Sequence, residues 1–474
     1  MKIIKNYLYN VGYQLFVIII PLVTIPYVSR ILGSNGIGIN AYTNSIIQYF
    51  ILFGSIGINL YGNRTIAYSR DNKKNMSQTF WEIIILRLIC IVISYLLFLL
   101  FLFFTKEYKI YYFYQSFFII AAGFDISWFF MGIEDFRKTV LRNIFVKIAS
   151  LIAVFIFVKT ESDVGKYILV LSISTLMGNL TLWPYLHRFV SRPDFTKLDL
   201  WKHFFPSLTL FIPQIATQVY LVLNKTMLGA MEGVKSAGYY ENSDKIVKVI
   251  LAIITATGTV MLPRVANTYA KGNKEKVYQY LVLSFDFVSS ICIPMALGLA
   301  AIAPKFSIWF LGSDFAITGK IISILSLVII FIGWSNVLGT QYLLPTNQTR
   351  YYTISVISGA SINLIMNIPL IQIFGIYGAV ISTVLSELTV TTVQLFFIKR
   401  TIKLSKLFTG KWKYFLSAAL MFIVVRYTHV MLPSGLLFFT IEAFLGILIY
   451  FLLLYLLKAP ILNLAITIIR KRFH

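Results

Sequence analysis

The chain has 474 residues, of which 58% are hydrophobic and 13% charged, and its formal net charge is +24. Water-soluble domains contain about 45–50% apolar and about 25% charged residues, so this composition argues against a soluble enzyme, and its high hydrophobicity argues against a disordered chain. In a soluble protein the positive charge would suggest nucleic acid as a partner. In a membrane protein the same excess is expected on the cytoplasmic side.

Fourteen stretches of the sequence are long and apolar enough to cross a bilayer, which takes roughly 20 residues. If the last two helices are an appendage, twelve is the alternative count for the main body. The predicted spans are 11–32, 37–60, 81–104, 111–133, 141–158, 166–186, 204–230, 239–264, 278–302, 319–344, 351–372, 376–398, 412–431 and 437–457.

The lysines and arginines predict the orientation of these spans. With the N-terminus inside, the predicted cytoplasmic segments hold 28 of them and the external segments hold 8. Positive residues concentrate on the cytoplasmic side of membrane proteins, so both termini are predicted to be cytoplasmic. The same distribution accounts for the net charge without nucleic acid as a partner. The first apolar run is too long for a signal peptide, and we interpret it as a retained helix.

The two halves of the chain are similar at an offset of 200 residues. Gly38 begins the second predicted span and Gly238 the eighth, and Arg64 and Arg264 follow the same two spans. Parallel repeats of this kind place a central pathway between two pseudo-symmetric lobes. We therefore predict an all-α polytopic membrane protein with two six-helix lobes and two C-terminal helices. The predicted domains are an N-terminal lobe at 1–200, a C-terminal lobe at 201–400, and two additional transmembrane helices with a basic cytoplasmic tail at 401–474.

The sequence patterns that carry catalysis, nucleotide binding or metal binding are not found in this chain. The nearest approach to a phosphate-binding loop, from Gly312 to Lys320, has the wrong spacing between its glycines. The two cysteines lie in apolar runs, and the four histidines are scattered. We therefore predict a protein that is not an enzyme and that uses no cofactor and no metal.

Polar side chains recur on single faces of the second, seventh and eighth predicted spans, and Arg30 lies near the outer end of the first. Four cations and one carboxylate there give a net charge of +3, which favours an anion such as a phosphate. The amides suit sugar hydroxyls, because they both donate and accept hydrogen bonds. The alternative is that these side chains reach the interface or tie helices together. The predicted cavity residues are Arg30, Asn40, Asn44, Gln48, Gln214, Gln218, Lys225, Glu241, Lys245 and Lys248.

Other ionisable residues inside the spans suggest two further roles. Asp125 and Glu387 lie near the middle of the fourth and twelfth spans. Either is a candidate for coupling transport to protons or sodium, and either could instead pair with a structural cation. Arg426 and Glu442, near the outer ends of neighbouring spans, are predicted to form a structural pair.

Eight short segments, spread along the chain, carry a recognisable pattern. They are Leu223–Gly229, Gly238–Glu241, Lys245–Ile246, Leu262–Arg264, Asn10–Gly12, Arg30–Gly33, Pro345–Arg350 and Gly375–Gly378. In these segments the chain resembles the bacterial polysaccharide transporter family, the flippases of O-antigen and capsule repeat units within the multidrug/oligosaccharidyl-lipid/polysaccharide superfamily. The resemblance covers essentially the whole chain.

This resemblance implies a cargo of undecaprenyl-diphosphate-linked oligosaccharide, moved from the inner to the outer leaflet of the bacterial cytoplasmic membrane. Membrane lipids and other surface-polysaccharide assembly proteins are the implied partners. Three alternatives remain open at this point. They are a multidrug antiporter of the same superfamily, which would favour an acidic cavity; a flippase of the peptidoglycan lipid precursor; and a membrane-embedded glycan polymerase or ligase, which should carry a large outer loop.

Overall fold

In the computed structural model, which describes residues 2–192, 196, 198–399 and 401–462, every regular element is helical. The predicted all-α membrane architecture is therefore confirmed. The contacts divide the chain into two compact units, Met1–Gly238 and Tyr239–His474. This boundary falls in the first turns of one long helix, whereas the domain limits at 200 and 400 derived from the repeat stay predictions.

In the described part of the first unit there are nine α-helices and the beginning of a tenth. Two short 3₁₀ turns, Glu161–Asp163 and Trp183–Arg188, flank the eighth helix. The helices are α1 (Lys2–Ser55), α2 (Ile58–Ser69), α3 (Lys73–Phe104), α4 (Lys109–Gln115), α5 (Phe117–Phe124), α6 (Ser127–Gly132), α7 (Phe136–Phe157), α8 (Val164–Leu180), α9 (Trp201–Met231) and α10 (Val234–Ala270).

The second unit continues α10 and adds eight α-helices over its described residues, up to residue 462. A 3₁₀ turn at Ser313–Phe315 and a π-helix at Asn336–Leu343 complete it. The helices are α11 (Lys274–Leu311), α12 (Ala316–Leu325), α13 (Val328–Ser335), α14 (Thr349–Phe374), α15 (Ile376–Ile398), α16 (Leu404–Phe408), α17 (Lys411–Met431) and α18 (Leu436–Leu456).

The first long element, α1, consists of two helices that meet at Gly33. The backbone of Gly33 has φ 65° and ψ −178°, a conformation that is essentially restricted to glycine. The two predicted spans 11–32 and 37–60 therefore correspond to the two parts of one broken helix. A hydrophobic cluster packs α2, α3 and α6 together, and its fully buried members include Phe80, Trp128 and Phe129.

Two predicted spans are broken where the sequence suggested continuous helices. The span 111–133 is divided into α4, α5 and α6, and the span 319–344 is divided into α12, α13 and the π-helix. At the second break in the first of these spans, Asp125 Oδ1 accepts hydrogen bonds from the backbone N–H of Ser127 at 3.0 Å and from its hydroxyl at 2.6 Å. These local bonds replace helical ones and end α5.

In the second unit, polar contacts join neighbouring helices. Ser386 on α15 donates a hydrogen bond to the carbonyl oxygen of Gly359 on α14 at 2.6 Å. The helices can approach this closely because both residues are small. Asp286 on α11 accepts hydrogen bonds from the ammonium group of Lys411 and from the hydroxyl of Tyr414, both on α17. This buried ion pair fixes α17 against α11.

Large apolar side chains are exposed along the helices that form the outside of each unit. In water such a surface would cause aggregation, whereas in a bilayer it contacts acyl chains. Examples on α3 and α18 are Leu96, Leu97, Leu100, Phe103, Phe444, Leu448 and Phe451. The outward face therefore supports the assignment to a membrane.

Among the described residues, eleven helical stretches are long and apolar enough to cross a membrane. A further candidate is the pair Ser313–Leu325 and Val328–Leu343, which is bent by 42°. One of the eleven, Ile20–Ser69, includes the break at Gly33, and α9 with its 31 residues is not among them. The count of fourteen and the cytoplasmic position of the termini stay predictions.

Candidate functional site

The predicted amide stripe lies along α1, where Asn40, Asn44 and Gln48 are half-buried. Gln115, at the end of α4, is fully buried and binds two of them. Its Nε2 donates to Asn40 Oδ1 at 3.1 Å, and its Oε1 accepts from Asn44 Nδ2 at 3.0 Å. Because each amide offers more donors and acceptors than these bonds use, the stripe both ties α4 to α1 and keeps the capacity to bind hydroxyl groups.

Sequence reasoning missed Gln115, although a glutamine inside an apolar span was a usable signal. Such a residue needs a hydrogen-bonding partner in a membrane interior. Hydropathy alone does not reveal which of the other spans provides that partner.

The seventh predicted span corresponds to α9. Lys225 on this helix is half-buried and Gln218 is exposed, while the side chain of Gln214 lies outside the described part of the structure. Next to Lys225, the hydroxyl of Thr226 donates to Ser45 Oγ on α1 at 2.9 Å. This bond fixes the rotation of α9 relative to α1 at the level of Lys225.

The glycines of the internal repeat lie where α1 meets the first turns of α10, within the first unit. A Cβ atom at Gly38 would lie 1.9 Å from the carbonyl oxygen of Val234, and one at Gly238 would lie 2.4 Å from that of Ser34. Only glycine allows two backbones to approach so closely. The repeat signal at these positions thus reflects a steric requirement of helix crossing.

Four of the charged residues of α10 form two ion pairs along one helix face. Glu241 pairs with Lys245 at 3.0 Å, and Asp244 pairs with Lys248 at 2.6 Å, each at i, i+4 spacing. The lysine side chains are 35% and 48% exposed. The sequence-based sum omitted Asp244, which lowers the net charge of the predicted set from +3 to +2.

Arg30 is exposed on α1, three residues before the break at Gly33. The first part of α1 therefore ends less than one helical turn after Arg30. Arg30 thus lies near a helix terminus within the first unit, and its place on the outer side of the membrane stays a prediction.

The two carboxylates considered for ion coupling lie in different environments. The sequence predicted Asp125 near the middle of a continuous helix, but the residue lies at the break after α5. There the Nη2 atom of Arg142 is 4.0 Å from Asp125 Oδ1. Arg142 also donates a hydrogen bond to Asn179 Oδ1 on α8. Glu387 is buried on α15, in the middle of that helix.

A buried polar network not anticipated from the sequence centres on Glu82 of α3, which is 0% exposed. Its carboxylate accepts hydrogen bonds from the backbone N–H of Asp199 at 3.0 Å, from Lys202 Nζ at 2.9 Å and from His203 Nε2 at 2.9 Å. The other ring nitrogen of His203 lies 2.7 Å from the hydroxyl of Tyr61 on α2. A neutral imidazole with its proton on Nε2 satisfies both contacts. The network attaches the beginning of α9 to α2 and α3.

The predicted pair of Arg426 and Glu442 is replaced by another arrangement in the second unit. Glu442 Oε2 lies 3.0 Å from His429 Nδ1, and both side chains are buried. Arg426 donates instead to the carbonyl oxygen of Ala301 at 3.1 Å. His429 Nε2 accepts from the backbone N–H of Lys305, so the imidazole bridges α11 and α18. His429 lies one turn after Arg426 on α17, and the helix rotation brings the imidazole rather than the guanidinium to Glu442.

Within the described residues, no group of three or more histidine, cysteine, aspartate or glutamate side chains could hold a metal ion. The predicted site residues instead provide ammonium groups and amides in helices that are apolar overall. Such groups can bind anions and hydroxyl-rich molecules by charge and hydrogen bonding. Binding of a polar ligand by charge and hydrogen bonding is therefore the chemistry that these side chains can supply.

Comparisons with known proteins agree with this chemistry. The sequence profile of a family described as "Polysaccharide biosynthesis protein" matches residues 3–269. A relative from Escherichia coli (strain K12), named "Putative O-antigen transporter", is 25% identical over 403 residues, which is 83% of this chain and 96% of the relative.

The fold is shared with solved structures of membrane transporters, among them a flippase and a multidrug transporter. A lipid II flippase MurJ in an inward closed conformation has a TM-score of 0.76 at 17% identity and covers 94% of this chain and 98% of its own. An outward-facing multidrug resistance MATE family transporter has a TM-score of 0.54 at 14% identity and covers 84% of this chain and 93% of its own. At these identities the similarity concerns the fold alone.

Proposed function

Because the chain belongs to the polysaccharide biosynthesis protein family and is a flippase-type transporter of the bacterial cytoplasmic membrane, we propose that it translocates undecaprenyl-diphosphate-linked oligosaccharide repeat units. The movement is from the inner to the outer leaflet, for surface polysaccharide biosynthesis. A diphosphate and a string of sugars cannot cross hydrocarbon at a tolerable free-energy cost. A protein path lined with cations and amides lowers that cost while the prenyl tail stays in lipid.

The observation that carries this proposal is the pair of half-exposed lysines on α10, Lys245 and Lys248. Ammonium groups are expensive within a membrane-spanning helix and usually face water, an anion or a partner. An ammonium group has three N–H donors, and these two side chains are 35% and 48% exposed, so an approaching anion can reach them. A phosphate oxygen could therefore be bound while the pairs with Glu241 and Asp244 persist.

The amide residues supply the complementary part of the proposed path. Asn40, Asn44 and Gln48 follow one face of α1 and are only half-buried. They accept and donate at once, as sugar hydroxyls do, so they suit a glycan of variable composition. We propose Arg30, Gln214, Gln218 and Lys225 as further contacts, and alternating access between the lobes predicted by the repeat as the mechanism.

The test compares Lys245→Gln and Lys248→Gln with Lys271→Gln, an exposed lysine after α10 that belongs to neither ion pair. The proteins are reconstituted in vesicles with lipid-linked oligosaccharide from a strain that lacks the flippase. Transport is followed as the fraction of glycan that becomes accessible to a lectin. Each of the first two variants is expected to transport about tenfold more slowly, because a charge-assisted bond to phosphate is lost. Lys245→Arg should retain most of the rate.

Equal rates in Lys245→Gln, Lys248→Gln and Lys271→Gln, at equal protein content, would contradict a role in cargo binding. The same vesicles separate the alternative cargoes. Preferential transport of the peptidoglycan lipid precursor, or of cationic drugs, would contradict the proposed substrate class. Glycan chains that lengthen during the assay would point to polymerase activity instead.

For ion coupling, Asp125 and Glu387 stay proposals, and Asp125 allows a clean substitution. Asp125→Asn keeps the Oδ1 atom that accepts from Ser127 and so preserves the helix break, but it removes the carboxylate charge. If Asp125 couples transport to an ion, this variant should lose the stimulation of transport by an imposed pH or sodium gradient. Unchanged stimulation in Asp125→Asn would leave Asp125 as a structural residue, and Glu387→Gln then becomes the variant to measure.

A further inference from the structure

A cavity of about 500 Å³ opens beside the beginning of α7 in the first unit. One wall is the first three turns of α7, and the other is the segment that follows α8, around Thr181 and Tyr185. A volume of this size is typical of small-ligand pockets. None of its residues belongs to the cargo path proposed above.

The pocket has a positive lining. Arg137, Lys138 and Arg142 contribute three cations, and Asp135 contributes one carboxylate. Lys138 Nζ lies 2.8 Å from Asp135 Oδ2 and also 5.3 Å from the ring centre of Tyr185, so it is held between the two walls. Guanidinium and ammonium groups arranged in this way suit a phosphate group.

An apolar stripe leads away from the pocket along the same helix. Leu141 and Phe145, which line the pocket, are followed on α7 by Ile148, Ile152 and Ile156, and all five side chains are exposed. Spacings of three and four residues place them on one face. A chain treated as membrane-spanning exposes such a face to lipid. The occupant must therefore combine an anionic head with an apolar tail.

We propose that this pocket binds the phosphate group of an anionic phospholipid, with acyl chains lying along the α7 stripe. The pocket is at the end of α7 that the sequence assigns to the cytoplasmic side, where basic pockets between helices hold anionic lipid head groups. A free phosphate would use the cations but not the stripe. A zwitterionic phospholipid would use the stripe but would bring its own cation into a positively charged pocket.

The test uses the full-length protein in detergent and counts bound lipids by native mass spectrometry, with phosphatidylglycerol and phosphatidylcholine as probes. The double variant R137Q/K138Q is compared with K271Q/K274Q, which removes the same number of charges from exposed positions outside the pocket. Phosphatidylglycerol affinity is expected to fall by about tenfold in R137Q/K138Q and to stay unchanged in K271Q/K274Q. Phosphatidylcholine should bind weakly to all forms.

Three results would overturn the proposal. The first is equal phosphatidylglycerol binding by both double variants. The second is displacement of the lipid by millimolar inorganic phosphate, which would make the pocket a soluble-anion site. The third is displacement by equimolar undecaprenyl phosphate, which would make it part of the cargo path. Should R137Q/K138Q not be recovered as a monodisperse protein, the single variant R137Q at the exposed Arg137 is compared with K271Q, which also removes one charge, and the ion pair between Lys138 and Asp135 is then retained.

Discussion

Replacing Gly38 by alanine is expected to destabilise the first unit by about 3 kcal/mol and to lower its apparent melting temperature by about 6–12 °C. The added Cβ would lie 1.9 Å from the carbonyl oxygen of Val234, and a helix backbone cannot move aside as a flexible side chain can. Gly238→Ala should act in the same direction, since its Cβ would lie 2.4 Å from the carbonyl oxygen of Ser34. Thermal unfolding of the purified protein in detergent measures both effects.

The matched control for this prediction is Gly298→Ala in α11. A Cβ atom there meets only Met421 Cε at 3.6 Å, which is ordinary van der Waals contact. Alanine also has the higher helix propensity, so this variant should be neutral or slightly more stable. If Gly38→Ala and Gly298→Ala unfold at the same temperature, the close crossing of α1 and α10 does not depend on Gly38.

The second large effect is expected for Glu82→Ala. This change leaves Lys202, His203 and the backbone N–H of Asp199 without the carboxylate that accepts from all three. Leaving a buried polar group without its hydrogen-bond partner typically costs about 1–3 kcal/mol, and here the buried His203 loses its acceptor while the exposed Lys202 and Asp199 regain contact with water. Glu82→Gln should be milder, since its amide oxygen still accepts hydrogen bonds.

Because the network attaches the beginning of α9, Glu82→Ala should also make the connection before α9 more sensitive to protease. Glu161→Ala, an exposed carboxylate of the same unit, is the control and should change neither the melting temperature nor the cleavage rate. Cleavage of Glu82→Ala at the control rate, together with an unchanged melting temperature, would show that the network contributes little to the attachment of α9.

The local properties of the sequence determined the fold class. Long apolar runs predict membrane helices because every backbone polar group must be satisfied inside the segment. The repeat could be detected at Gly38 and Gly238 because local packing restricts these two positions to glycine. Positions where two backbones touch tolerate only glycine, and the structure places both glycines at such a contact. The ion pair of Asp244 and Lys248 can likewise be predicted from its i, i+4 spacing, although the net charge calculated for the predicted cavity residues left out Asp244.

The tertiary structure alone decided which polar groups meet across helices. Glu82 and His203 are 121 residues apart, and no pattern in the sequence connects them. Gln115 reaches Asn40 and Asn44, and Glu442 meets His429 rather than Arg426. Such partnerships depend on the rotation and depth of each helix relative to its neighbours. Hydropathy averages over all faces of a helix and therefore carries no information about either quantity.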